Sequence, residues 1–141
     1  MWGIRFRDDE HKNRFEVLCN RVNNRDVYIT TALYLFSLDE DCYNNVDSLF
    51  DFKHLYIKLE GLHGGWHTGT SRRTVRLAFN LWNGYCYEDD TYTDEKGIKH
   101  QLPSSEYTPD NLFCCNLAPY YFEAIKLRYP EYTKGDNLCD N

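Results

Sequence analysis

The sequence predicts a mainly α fold, a compact single-domain bundle of about five or six helices with room for a small β-hairpin or an N-terminal strand. Three observations carry that expectation. Apolar residues recur at helical spacing through most of the chain. Asp, Ser and Thr stand where those stretches begin, as capping residues do. A chain of 141 residues, 16% of them aromatic, has material for one core and little more.

Trp2 to Phe6 alternates like a short strand. Asp8, Asp9 and Glu10 then put negative charge at a helix start, and Phe15, Leu18, Cys19 and Val22 form one apolar face before Asn23 to Arg25 break it. Residues 26 to 37 are apolar on most sides, as a helix in the middle of a fold would be. Thr30 and Thr31 leave a strand open there, but the length favours helix. Ser37, Asp39, Glu40 and Asp41 open a third helix with Cys42, Val46, Leu49 and Phe50 as its buried stripe.

Between Asp51 and Thr70 the period fails and extended chain or loop is expected. Thr70 or Ser71 caps a fourth helix, ended at Gly84, with Val75, Ala78, Phe79 and Trp82 on one face. This is expected to be the central core helix. Residues 86–107 are an acidic loop or hairpin inserted in the fold, with Asp94 to Gly97 as its turn. Thr108-Pro109 is a further helix start. Ala118-Pro119 begins the last helix, with Tyr121, Phe122, Ile125 and Tyr129 inward and Pro130 ending it. Residues 1–130 form the globular domain and 131–141 a polar tail.

Charge and cysteine usage narrow the function classes. The net charge of −6 argues against general DNA or RNA binding. No apolar run approaches the roughly 20 residues of a membrane span, so direct membrane association is not expected. The first residues lack an apolar signal core, which points to the cytosol and reduced thiols. Cys19, Cys42, Cys86, Cys114, Cys115 and Cys139 match no zinc spacing and are expected to be buried and inert. Nothing local singles out one of them as a nucleophile, and no cofactor motif is present.

Segment charges locate two candidate surfaces. Residues 61–85 carry Arg72, Arg73 and Arg76 and no acid, a net +3 between stretches of −4 (31–60) and −5 (86–111). A loop containing His63, Gly64, Gly65, Trp66 and His67 leads into the helix start at Thr70 and Ser71. Backbone N–H groups there, with the three arginines, would suit a phosphate, and Trp66 would stack on a base. The plainer alternative is that the arginines pair with the flanking acids and organise the fold. His63 and His67 are also candidates for a metal, completed by Asp47, Asp51 or His54, or for acid–base chemistry in a phosphodiesterase. Gly64 and Gly65 between them, and the lack of a following glutamate, defeat the helical His-Glu-x-x-His logic, so no catalytic residue or metal is assigned. His11 and His100 are expected at the surface. The second surface is acidic: Glu88, Asp89, Asp90, Tyr92, Asp94 and Glu95 form a candidate partner-binding face.

Phe6-Arg-Asp-Asp-Glu-His-Lys, Arg25-Asp-Val-Tyr and Leu49-Phe-Asp-Phe-Lys, with Glu60-Gly-Leu-His-Gly-Gly-Trp-His-Thr, Arg76-Leu-Ala-Phe-Asn-Leu-Trp-Asn-Gly-Tyr and Ala118-Pro-Tyr-Tyr-Phe-Glu-Ala-Ile-Lys-Leu-Arg-Tyr-Pro-Glu-Tyr, resemble a family of short proteins of unknown function from Gram-positive bacteria, their phages and mobile elements. The resemblance supplies no catalytic residues. It implies an accessory protein acting in the host bacterial cytosol, where counter-defence is common. Two mechanisms are then expected: direct binding and inhibition of a host defence protein, as anti-CRISPR proteins do, or sequestration of a phosphorylated nucleotide immune signal.

Overall fold

The computed structural model describes residues 3–133, apart from the side chain of Asp90. Within them are seven α-helices and two small two-stranded antiparallel sheets, so the mainly α expectation holds. Residues 3–6 form no strand, and Trp2 lies outside the described residues. Arg5 accordingly spends its N–H on the Glu123 carboxylate at 3.0 Å rather than on a sheet.

Helix α1 (Asp9–Cys19) is capped by Asp8, whose side chain accepts the His11 N–H. Helix α2 (Val27–Leu38) is capped in the same way by Asp26. Eight consecutive residues of α2, from Thr31 to Leu38, are buried, so this helix needs neighbours on every side. It has them: α2 packs on α1, on α3 (Glu40–Asn44), on α4 (Gly69–Asn83) and on α6 (Ala118–Arg128). The centre of the core is therefore α2 and not α4. Helix α4 is amphipathic, burying Val75, Leu77, Ala78, Phe79 and Leu81 and leaving Asn83 to solvent.

The third expected helix is broken in two. After α3 the chain makes a 3₁₀ turn at Val46–Ser48, and Phe50 enters a short strand instead of a helical stripe. Strands β1 (Phe50–Asp51) and β2 (Tyr56–Ile57) then pair. A second 3₁₀ turn, Leu59–His63, brings Gly61 so close to α3's exit that a β-carbon there would run into the Ser48 carbonyl. Helix α4 ends at Gly84, whose φ of 79° is the left-handed conformation that spares a glycine any side-chain clash.

The acidic insertion is a hairpin: β3 (Tyr87–Thr93) pairs with β4 (Lys99–Pro103) around the Asp94 to Gly97 turn. Helix α5 (Pro109–Leu112) starts on the expected proline. In α6, Tyr121 and Ala124 are buried while Phe122 is 54% exposed, so the inward face is rotated from the one expected. Pro130 does not end the structure; it opens the short helix α7 (Pro130–Thr133), as its fixed φ allows at a first helical position. Of the polar tail, 134–141 lie outside the described residues. Arg128 ties the end of α6 to its neighbours. Its Nε donates to the Leu81 carbonyl at 2.7 Å, and its guanidinium lies 3.9 Å from the Tyr28 ring centre.

Two further expectations change. His11 is not a surface residue but fully buried among Phe6, Phe15 and Tyr34. Among the described cysteines only Cys42 is fully buried, and Cys114 is exposed. The five described thiols form no disulfide with one another, and Cys139 lies outside the described residues.

Candidate functional site

The N-cap of α4 lies two to three residues before the expected Thr70 or Ser71. Thr68 is the N-cap, and its Oγ1 accepts the Ser71 N–H while the Ser71 hydroxyl accepts the Thr68 N–H. Thr70 lies inside the helix, and its carbonyl accepts a bond from the Thr74 hydroxyl. The reciprocal cap satisfies backbone donors that an anion would otherwise have used. Arg72 and Arg73 become the fourth and fifth helical residues, so they no longer crowd the positive end of the helix dipole.

The three arginines do not converge. Arg76 forks onto Glu88, with Nη2 at 2.9 Å from Oε1 and Nε at 3.3 Å from Oε2, and its Nη1 lies 3.6 Å from Glu106. Arg73 turns to α5 and donates from Nε to the Asn111 carbonyl at 2.9 Å. Arg72 is half-buried. The pairing of basic island with acidic flank is thus realised at Arg76, and its effect is to clamp the hairpin base to α4. The Tyr107 hydroxyl completes the clamp, donating toward the Tyr87 carbonyl and Glu88. Burial works against the Glu88 charge, but the Arg76 guanidinium and the Tyr107 bond outweigh it and hold the carboxyl below its ordinary range.

The histidines part company in the same way. His67 uses both ring nitrogens internally: Nε2 donates to the Gly61 carbonyl at 2.8 Å, and Nδ1 accepts from the Ser71 hydroxyl at 2.9 Å. Burial lowers its pKa despite the Gly61 bond, and Arg72 and Arg76 lower it further. Trp66 stacks on this imidazole with ring centres 3.8 Å apart, and its indole fills the space beside Gly64. Gly65 faces open space. His63 is exposed and its Nε2 lies 3.6 Å from Asp89 on β3. The proposed metal companions are engaged elsewhere, Asp51 with His54 at 2.8 Å and Asp47 with Arg21 at 2.7 Å. Among the described residues, no three His, Cys, Asp or Glu side chains are grouped to hold a metal ion. A cleft of about 610 Å³ opens on the α1 side, lined by Ile4, Phe6, Phe15, Cys19 and Arg25 among others and by no residue of the glycine loop.

The residues of the acidic surface lie together on β3 and the turn after it, within one hairpin. Glu88 is one exception, since it faces Arg76. Asp94 is also turned inward: Oδ1 accepts the Lys96 and Ile98 N–H groups, and Oδ2 lies 2.7 Å from His100 Nε2. Those bonds lower its pKa and close the turn. Asp89, Tyr92 and Glu95 are exposed; Asp90 is a β3 residue whose side chain is outside the described set.

Three residues of this surface were missed in the sequence. Side chains two apart on a strand share a face, and Tyr92 stands directly opposite His100 with the rings stacked at 5.0 Å. Ile98, His100 and Leu102 therefore join Tyr92 on one face, and Tyr92, Ile98 and Leu102 are 48%, 53% and 39% exposed. The Ile98-Lys-His-Gln-Leu102 alternation was the available signal. Charge drew attention to the strand before it.

No curated protein and no solved structure matches the chain. A model described as a family of unknown function, DUF6075, matches residues 1–140. The chain belongs to the DUF6075 family.

Proposed function

We propose that this chain is a non-enzymatic binding protein that inhibits a host defence protein by direct contact, and that the β3–β4 hairpin is its contact surface. The observation that carries the reading is the contrast along the hairpin. Its base is locked by the Arg76–Glu88–Tyr107 clamp, while every residue of β4 and the apolar trio Tyr92, Ile98 and Leu102 stay exposed. Exposed aromatic and aliphatic groups on an element anchored at its base are what a protein interface can use as anchors, and acids around them steer a basic partner. The counter-defence setting, in accessory genes of phages and mobile elements of Gram-positive bacteria, is the part of the proposal that rests on the family resemblance.

The phosphate-sequestering alternative has less behind it, because Arg73 and Arg76 are engaged within the fold. A phosphodiesterase would need two histidines free to exchange protons, and His67 is bonded at both nitrogens. The test is capture from host lysate by the wild-type chain and by a variant with Tyr92→Ser, Ile98→Ser and Leu102→Ser. A protein captured by the wild type and lost at least tenfold with the variant supports the reading. Equal capture by both, or a small phosphorylated molecule as the sole adduct in native mass spectra, overturns it.

A further inference from the structure

The outer edge of β4 is left unpaired among the described residues. In an antiparallel pair, residues alternate between those bonded to the partner strand and those whose N–H and carbonyl point outward. The Asp94 N–H donates to the Ile98 carbonyl at 2.9 Å, and the Ser104 N–H donates to the Cys86 carbonyl at 2.7 Å. Counting from either end makes Tyr92 and His100 a bonded pair and turns Lys99 and Gln101 outward. Among the described residues no other strand pairs with that edge. Pro103, with no N–H, closes the edge at its far end.

A two-stranded hairpin with one uncovered apolar face is stable mainly through what it is anchored to or what covers it. Here the anchor holds only the base. Tyr92 and Ile98, toward the turn, and Leu102, next to the base, stay uncovered beside the unpaired edge. Residues 87–103 carry a net −3, so two copies of the hairpin repel and a cationic chain is attracted. We infer that β4 accepts an extended cationic segment of the partner protein as an added strand, bonded to the Lys99 and Gln101 backbone, with alternate apolar side chains of the segment extending over the Tyr92–Ile98–Leu102 face. This rests on the reading of the hairpin as the contact surface and specifies how it binds.

The probe is a capped ten-residue peptide of alternating valine and lysine, titrated into the full isotope-labelled chain and followed by NMR. The expected result is movement of the Lys99 and Gln101 amide signals and at least tenfold slower hydrogen exchange at both. A fully N-methylated form of the peptide should bind at least tenfold more weakly, a comparison that leaves the protein unaltered. Gln101→Pro should cause the same loss while the melting temperature reports that the fold persists. Equal binding of the methylated peptide, or shifts confined to the Tyr92, Ile98 and Leu102 side chains, would overturn strand addition and leave the hairpin as contact surface. Binding mapped outside residues 87–103 would count against both readings. Absence of binding, or a dimer of the chain formed through β4 without peptide, would also overturn the inserted-segment proposal.

Discussion

Acidification should weaken this fold through His11, and the size of the effect follows from where the ring sits. His11 is fully buried and held in one tautomer: Nε2 donates to the Tyr34 carbonyl at 3.0 Å, and Nδ1 accepts the Arg7 N–H at 3.1 Å. A proton arriving at Nδ1 would set two donors against each other. Burial pushes the pKa down to about 4, the Tyr34 bond and Asp8 opposing that shift while Arg14 and Arg7 add to it. In the unfolded chain the same ring titrates near 6.5. The unfolded state therefore takes up a proton first as pH falls. The stability due to neutral His11 is complete above about pH 7.5, falls through pH 6.5, and is exhausted near pH 4.

At about 1.4 kcal/mol per pKa unit, the whole interval corresponds to about 3 kcal/mol, most of it gone by about pH 4.5. Urea denaturation followed by tryptophan fluorescence between pH 8 and pH 4.5 measures it, with His11→Phe as the control that keeps a ring in the cluster. The variant is expected to be less stable at pH 8, because the Arg7 N–H loses its acceptor. Its stability should then decline less steeply, so that the gap between the two proteins narrows on acidification. His67 shifts in the same direction and is common to both proteins, so it cancels. Parallel stability curves for the two proteins, or a native-state NMR titration placing His11 near 6.5, would refute the reasoning.

Other perturbations test the elements around the candidate surface. Arg76→Ala leaves Glu88 half-buried without its guanidinium and should cost about 1–3 kcal/mol, with faster exchange at the hydrogen-bonded Tyr92 and His100 amides; a double-mutant cycle with Glu88→Gln should return a coupling of at least about 1 kcal/mol. Ser71→Ala removes half of the reciprocal cap together with the donor to His67 Nδ1, and a loss of about 1–2 kcal/mol in thermal unfolding is expected. Gly61→Ala forces a methyl against the Ser48 carbonyl and should destabilise by at least about 2 kcal/mol, whereas Gly65→Ala, which meets open space, should change the melting temperature little. Equal effects of the two glycine substitutions would mean that the loop between β2 and α4 is not packed as described.

Much of the fold is legible in the sequence because local rules dominate where the elements begin and end. Asp26, Gly84 and Pro109 each mark a boundary by a bond, a backbone conformation or a missing N–H that the residue itself supplies. The turn at Asp94 to Gly97 follows from its own chemistry in the same way, since Asp94 bonds to N–H groups two and four residues on. His11, expected at the surface, is buried instead. It stands four residues before Phe15 on the same helical face, and its polarity hid a position that spacing placed in the core.

The sequence by itself determined a mainly α chain, a mostly apolar helix over residues 26 to 37, an acidic loop or hairpin at 86–107, and a basic stretch whose arginines needed partners. Only the tertiary structure decided which partners. Whether Arg76 meets a phosphate or Glu88, and whether His67 faces a ligand or the Gly61 carbonyl, depends on the distance between segments that the sequence merely lists in order. A buried guanidinium or imidazole takes the nearest acceptor the fold offers it, since leaving water without one is costly. Packing offered Arg73, Arg76 and His67 acceptors inside the fold and left Tyr92, Ile98 and Leu102 uncovered on the hairpin.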